Sequence, residues 1–360
     1  MNLRDLAQRP AQWLGAPKPN VGTPLDGGAD DGDVVISSRA RLARNLAGMP
    51  FLNKCGEAQL RQIARQLQQA LSALPLPGQA HYVDLEPCPL LDRQLLVERH
   101  LISRQHAEAD IPRGVAVSGD ETVAVMVNEE DHLRLQCLRA GLNLEHCVAQ
   151  LRRLDDLLEQ QMAFAFSSRL GYLTACPTNV GTGLRVSAML HLPGLKMSGQ
   201  IDKALRAARD MHLAVRGLFG EGTEATGDLF QISNQTTLGR SEEQIVADFR
   251  QQVLPAVIHY ERQARQALLK ERRLALEDKV CRAVGVLRSA RTISSEETLY
   301  LLSHLRLGLA LGLVREVPLE MVNYLFLAIQ PAHLQALVGR ELTPADRGRE
   351  RALLIRQKLG

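Results

Sequence analysis

The sequence predicts an α+β protein in which a large sheet-based domain is followed by a smaller all-helical one, and three observations carry that expectation. Its 360 residues suit two domains, because single domains usually run to about 100–200 residues. From about residue 34 to about residue 235, short β-type runs such as Val34-Val35-Ile36 and Val123–Val127 alternate with helical stretches. After Gln235 the texture changes, and helix-start signals followed by apolar stripes dominate.

Each element follows from its local pattern. Residues 1–14 read as a short helix, and residues 15–33 as loop, because Gly, Pro and Asp crowd them. Leu60, Ile63, Leu67 and Leu71 recur at three- and four-residue steps, which predicts a core-facing helix over 57–73. Ser241 and Gln244 have capping-box spacing, and Ile245, Phe249 and Val253 then mark an apolar face. Ser294 with Glu297 opens a helix carrying Leu301, Leu302 and Leu305. A helix starting near Pro318 is limited by Pro331, and Thr343-Pro344 starts a last one. The expected units are therefore 1–33 (N-terminal helix and loop), 34–258 (sheet-based domain) and 259–360 (helical domain), with the boundary inside or just after a long helix.

Composition excludes several classes of function. Hydrophobic content of 45% and charged content of 23% allow a sizeable core, and a net charge of +3 is too mild to indicate nucleic acid. The six cysteines never form C-x-x-C, and no Cys/His group has zinc spacing, so no structural metal is expected. The N-terminus lacks a signal-type apolar stretch, and no run approaches about 18 apolar residues, so a cytoplasmic protein with reduced thiols is expected.

Four segments carry chemistry. In Ser37-Ser38-Arg39-Ala40-Arg41, two arginines two residues apart project from one face of an extended chain and can grip a single polyanion; the alternative is a solvated strand face. Val127–Arg134 ends an apolar strand in Glu129, Glu130 and Asp131, where a carboxylate can take a proton or orient a cation. For Glu129 and Asp131 the better reading is an acidic helix start, and for His132 a structural hydrogen-bonder. Cys176–Arg185 is a glycine-containing loop with a thiol at one end and an arginine at the other, but neither a Walker A nor a full G-x-G-x-x-G sequence. Arg216–Glu224 sets glycines around a carboxylate, as in a loop that closes over substrate; an ordinary turn is the alternative.

Together and in this order, NEEDHLR, CPTNVGTGLR and RG-x-x-GE resemble the phosphagen (guanido) kinase family and, within it, the bacterial protein-arginine kinases of the McsB type. The resemblance covers nearly the whole chain; Phe230–Glu242 is similar to the segment that joins catalytic and helical domains in those enzymes. It implies a catalytic domain built on an antiparallel sheet flanked by helices, ATP with magnesium as donor, and a helical C-terminal dimerisation and regulatory domain. Carried over by position, Arg39, Arg41, Arg134, Arg185 and Arg216 bind phosphates, and His100 contacts the nucleotide. The segments 37–41 (Ser37, Ser38, Ala40 with the two arginines), 185–189 (Val186, Ser187, Ala188, Met189) and 216–221 (Gly217, Leu218, Phe219, Gly220, Glu221) line its site. Glu130 and Glu221 hold the acceptor guanidinium beside Cys176.

The resemblance also implies protein substrates with exposed arginines, a homodimer, and family-level partners such as a Clp-type chaperone-protease and a stress repressor. Small-molecule guanidino kinases carry a helical domain ahead of the S-x-R-x-R strand, whereas only 36 residues precede it here, which favours a protein-bound acceptor. Rival readings are a free-arginine or other small-guanidino kinase and a non-catalytic phosphoarginine-binding adaptor; the latter should lack a catalytic carboxylate, yet Glu130 and Glu221 are both present. One departure concerns the family's R-D-x-x-R-A motif for allosteric phosphoarginine. Arg347 and Arg351 are retained, four apart on one helix face, but Gly348 replaces the aspartate; a solvated helix that contacts a partner subunit is the alternative there.

Overall fold

The computed structural model describes residues 3–15, 31–217 and 226–360. Among them, ten strands run β1 (Val35–Arg44), β2 (His81–Asp84), β3 (Gly114–Val117), β4 (Val123–Val127), β5 (Leu133–Ala140), β6 (Phe166–Ser167), β7 (Gly171–Tyr172), β8 (Leu184–His191), β9 (Leu213–Gly217) and β10 (Leu229–Asn234). Eight form one sheet in the order β2-β3-β4-β5-β1-β8-β10-β9, every pair antiparallel, while β6 and β7 make a separate small hairpin.

The helices that accompany this sheet are α1 (Glu57–Ser72), α2 (Leu90–Glu98), α3 (Arg104–Glu108), α4 (Leu144–Glu159), α5 (Pro193–Met197) and α6 (Ile201–Asp210). One sheet face is closed by α1 and α4, whose Ile63, Leu67, Leu151 and Leu158 pack with Ala40, Leu42, Val186 and Ala188. That leaves the opposite face of β1 and β8 for the site. The helix expected over 57–73 is α1, and its four predicted apolar residues are all buried.

Ser241 opens α7 (Glu242–Asp248) with the expected reciprocal cap: its Oγ accepts from the Gln244 N–H at 3.2 Å and its own N–H donates to Gln244 Oε1 at 2.9 Å. A single π turn, Phe249–Val253, carries α7 into α8 (Leu254–Glu271), so Ile258 lies within a continuing helix that breaks only at Arg272. Beyond it come α9 (Arg273–Ser289), α10 (Ser295–Ala310), α11 (Leu319–Ala328), α12 (Pro331–Val338) and α13 (Pro344–Leu359). Ser294 and Thr343 cap α10 and α13 as expected. Pro331 ends the stretch begun near Pro318 and then opens a helix of its own, because a proline's missing N–H costs nothing in a first turn. At the N-terminus, the single helix expected is two 3-10 turns, Leu3–Gln8 and Gln12–Leu14; Pro10 between them disfavours a helical Arg9 and donates no N–H. No single helix among the described residues is long and apolar enough to cross a membrane.

The helical part is joined to the sheet by buried polar contacts rather than by a tether. Arg306 on α10, 1% exposed, donates to the carbonyls of Gly32 and Asp33 at 2.7 and 2.8 Å and to His191 Nδ1 at 2.9 Å. That fixes the His191 proton on Nε2, which lies 2.9 Å from Ser303 Oγ, and Ser303 in turn donates to Asp228 at 2.6 Å. Replacing Arg306 by Met strands several of these acceptors at about 1–3 kcal/mol each, so Arg306→Met is expected to lower the urea midpoint strongly. Arg282→Ala removes an exposed Asp278 pair and is expected to change stability by less than about 1 kcal/mol in the same titration.

Candidate active site

Alternation along β1 places Ser37, Arg39 and Arg41 on the open face and turns Ser38 and Ala40 the other way. Ser38 donates to the Gly141 carbonyl at 2.8 Å and Ala40 joins the core, so neither side chain reaches the cleft. The same correction applies on β8: Val186 and Ala188 point into the core, whereas Arg185, Ser187 and Met189 share the face with β1. Register then gathers the cations. Arg41 lies opposite Arg185, Arg134 of β5 lies opposite Ala43, and Arg216 on β9 completes the wall.

Packing so many guanidinium groups together is electrostatically unfavourable. Burial and the charges of Arg134, Arg185 and Arg216 pull the pKa of Arg39 down to about 9, and burial with Arg39 and the same three charges pulls Arg41 well below its ordinary value. Neutral partners hold some of them: Arg39 donates to Gln231 Oε1 at 2.6 Å, and Arg185 to Ser233 Oγ at 3.3 and 3.2 Å. Arg41 keeps Nε and Nη2 buried without a hydrogen-bond partner. Donors left in that state fit a site built for a polyanion that supplies the acceptors.

The acidic segment is not a helix start. It is the turn between β4 and β5, with Asn128 in the left-handed region (φ 57°) that asparagine tolerates, and its Nδ2 donates to the carbonyls of Leu60 and Pro112. This turn aims three carboxylates in three directions. Glu129 faces Arg134 at 2.6 Å and accepts from Ser103 Oγ at 2.5 Å. Burial opposes its ionisation, but the Arg134 charge and these two bonds prevail and bring its pKa to about 2. Glu130 lies beside Cys176 instead: burial and the charges of Asp131 and Glu129 raise its carboxyl above the usual range, with the Arg134 charge and the thiol only partly offsetting them. Asp131 accepts from Asn45 Nδ2 and from the Ala175 N–H, both at 2.6 Å, and so pins the Cys176 loop to the turn. His132 is structural as expected, accepting from the Leu46 N–H on Nδ1 and donating from Nε2 to the Pro50 carbonyl.

The resulting cleft of about 750 Å³ is lined by Arg39, Arg41, Arg134, Arg185, Arg216 and His100 together with Glu129, Glu130 and Cys176. Cys176 Sγ also lies 3.1 Å from Thr178 Oγ1. His100 itself adopts φ 58° directly after α2, and burial together with the Arg39 charge lowers its pKa to about 3, so the ring is neutral at pH 7. Gly217 ends β9 opposite Phe230. Leu218, Phe219, Gly220 and Glu221 lie outside the described residues. Among the described residues no group of three or more His, Cys, Asp or Glu side chains is placed to hold a metal ion.

Arg347 and Arg351 lie away from this cleft, on α13. Arg351 is buried and donates to the carbonyls of Ile329 and Ile293, both at 2.9 Å, while Arg347 donates to the Leu342 carbonyl. A Cβ at Gly348 would sit 2.7 Å from Thr292 Oγ1, so an aspartate enters there only if Thr292 moves. Gln231 and Ser233 were missed by sequence reasoning, although two polar residues spaced by two in the apolar strand Phe230–Asn234 are a readable signal for a face turned to a ligand. Glu129 was assigned to the wrong local structure because an acidic cluster looks the same in a hairpin turn and in a helix N-terminus.

With this geometry, the comparisons with known proteins agree. A family model described as ATP:guanido phosphotransferase, C-terminal catalytic domain, matches residues 62–264, and one described as protein-arginine kinase McsB C-terminal domain matches residues 273–360. The chain is 48% identical over 338 residues to a protein-arginine kinase of Symbiobacterium thermophilum, covering 93% of this chain and 96% of that one. It is 44% identical over 359 residues to a protein-arginine kinase of Halothermothrix orenii, covering 100% and 99%. Among solved structures, it resembles lombricine kinase with a TM-score of 0.57 and 25% identity, covering 74% of this chain and 77% of that one. It also resembles the substrate-free duplicated taurocyamine kinase of Schistosoma mansoni, with a TM-score of 0.56 and 27% identity, covering 72% of this chain and 38% of that longer one. An antiparallel sheet with an arginine-lined face, an all-helical C-terminal part and this degree of identity over nearly the full length establish that the chain belongs to the ATP:guanido phosphotransferase family, in its protein-arginine kinase branch.

Proposed function

We propose that the chain transfers the γ-phosphate of ATP to the guanidinium of arginine residues in proteins. The observation that carries this reading is a single cleft whose lining brings the five motif arginines together with Glu130 and Cys176. A guanidinium has a pKa above about 12 and is a poor nucleophile until a carboxylate aligns it and takes its proton. Glu130 is assigned that part, and its raised pKa suits it better than the strongly acidic Glu129. The acceptor nitrogen forms the new N–P bond as its proton passes to Glu130. The bond from the γ-phosphorus to the β-bridging oxygen breaks, and ADP leaves with that electron pair. Arg39, Arg41, Arg134, Arg185 and Arg216 hold the phosphates in line and offset the developing charge. Glu129 positions Arg134, and Asp131 positions Cys176 through Ala175. Glu221 is assigned, by its place in the RG-x-x-GE motif, as the second carboxylate on the acceptor. No His, Cys, Asp or Glu cluster among the described residues is placed to hold magnesium, so it would be carried in with the nucleotide and would supply charge neutralisation beside the arginines.

The remaining parts of the proposal rest on the resemblance. They are a homodimer formed through the helical domain, where Leu274 is 81% exposed, and delivery of marked proteins to a Clp-type chaperone-protease or release of a stress repressor. A cytoplasmic location is proposed from six unpaired cysteines. Allosteric sensing at Arg347 and Arg351 would have to use the remaining Arg351 donors, because its Nε and Nη1 already bond backbone carbonyls.

Glu130→Gln is expected to lower kcat by about 10²–10⁴-fold with ATP affinity retained, measured as phosphate on protein arginine by mass spectrometry that preserves N–P bonds. Turnover on free arginine but not on protein would overturn the acceptor. Because the base must be ionised, kcat should fall as pH drops through the raised Glu130 pKa, on an acidic limb above the usual carboxylate value of about 4.3 that Glu130→Gln abolishes. Glu129→Gln frees Arg134 and should raise KM for ATP, an effect read from initial rates over a range of ATP concentrations.

A further inference from the structure

The arginines mark the phosphate end of the nucleotide site, and the sheet register shows which way the rest of the nucleotide must run. Arg41, Arg39 and Ser37 share one face at steps of about 7 Å. Beside Arg41 stands Arg185; beside Arg39 stand Leu138 and Ser187; beside Ser37 stands Met189. Within two steps the surface therefore passes from guanidinium groups to apolar carbon. A pocket opens there between the two, lined by Trp13, His100, Leu138 and Met189 with Ser37, Ser187, Gln231 and Arg39.

Trp13 is foreign to the sheet. It arrives on the N-terminal turn Gln12–Leu14, is 4% exposed, and donates from Nε1 to the Arg99 carbonyl at 3.2 Å. Its indole meets the His100 ring edge to face, with centroids 4.7 Å apart and planes at 85°. It is buried in one apolar cluster with Phe326 and Leu327 of α11. A neutral imidazole, an indole and the Met189 thioether make an aromatic, polarisable wall suited to a planar ring, while Gln231, Ser37 and Ser187 offer polar groups at its margin. The free space is only about 10 Å³, room for one water, so a purine enters only if that wall yields. Simple anchoring of the N-terminal segment also accounts for a buried tryptophan, and the two roles differ in what a nucleotide does to it.

We propose that Trp13 is a base-recognition residue: its indole and the His100 ring form the aromatic wall of the purine subsite and part when the base enters. This rests on ATP being the phosphate donor. It also links the helical domain to the base subsite, because Phe326 and Leu327 share an apolar cluster with Trp13.

Trp13 is the sole tryptophan, so the emission of the unmodified full-length chain reports on it alone. The chain is titrated with ADP and, separately, with inorganic tripolyphosphate, and each binding event is followed independently by calorimetry. ADP should change the intensity or peak of tryptophan emission, and tripolyphosphate should bind the arginines and leave emission unchanged. Calorimetric ADP binding without an emission change, or the same change with both ligands, overturns the proposal while the donor assignment stands. Failure of ATP and ADP to bind at all overturns the donor assignment itself. Trp13→Ala should weaken ADP about tenfold and spare tripolyphosphate, with Trp13→Phe in between. Equal weakening of both ligands makes Trp13 an anchor only and sinks the idea.

Discussion

Mutual repulsion among guanidinium groups on one face of a sheet is the constraint on which the rest of the site depends. Arg39 and Arg41 are brought to that face by strand alternation, and Arg185 and Arg134 by register with β8 and β5, so none of them can be turned away without slipping a strand. The surrounding residues soften the cost without removing it. Glu129 pairs with Arg134, Gln231 and Ser233 accept from Arg39 and Arg185, and Arg41 is left with two buried nitrogens unbonded. A cleft that is costly when empty and relieved by polyphosphate is the expected form of a site whose strain serves function.

The same turn shows how one local structure prepares two carboxylates for different work. Glu129 and Glu130 are neighbours, yet the first sits against Arg134 and Ser103 while the second sits among like charges beside a thiol. Their acidities therefore move in opposite directions. One becomes a permanent anion that holds a cation in place, and the other becomes a group able to take up a proton. Asp131, the third of the run, does neither; it joins the turn to the Cys176 loop and keeps that pair together.

Stability and site are linked through buried polar contacts. Glu98, Arg99 and His100 follow one another at the end of α2. Glu98 accepts from the N–H groups of Ala332 and His333 at the start of α12, Arg99 pairs with Glu121 and the Leu6 carbonyl, and His100 enters the cleft. The helical domain, the N-terminal segment and the His100 side of the cleft thus meet within three residues, and Glu98 and Arg99 are each held by several hydrogen bonds.

By itself the sequence determined what depends on neighbours along the chain. Periodicity placed α1, reciprocal spacing placed the cap at Ser241, alternation put Arg39 and Arg41 on one face, and short motifs named Glu130, Cys176 and the other arginines. Only the tertiary structure decided which strands pair, because β1 bonds to β8 and β5 far along the chain and no local signal encodes that register. It decided that Val186 and Ala188 turn to the core, that the acidic run is a hairpin turn, and that Glu129 serves Arg134. It also brought Trp13 from the far N-terminus to His100, and set Gly348 against Thr292 so that the family's aspartate enters only if Thr292 moves. In each case the physical cause is a contact between residues distant in sequence, whose chemistry was legible while their proximity was not.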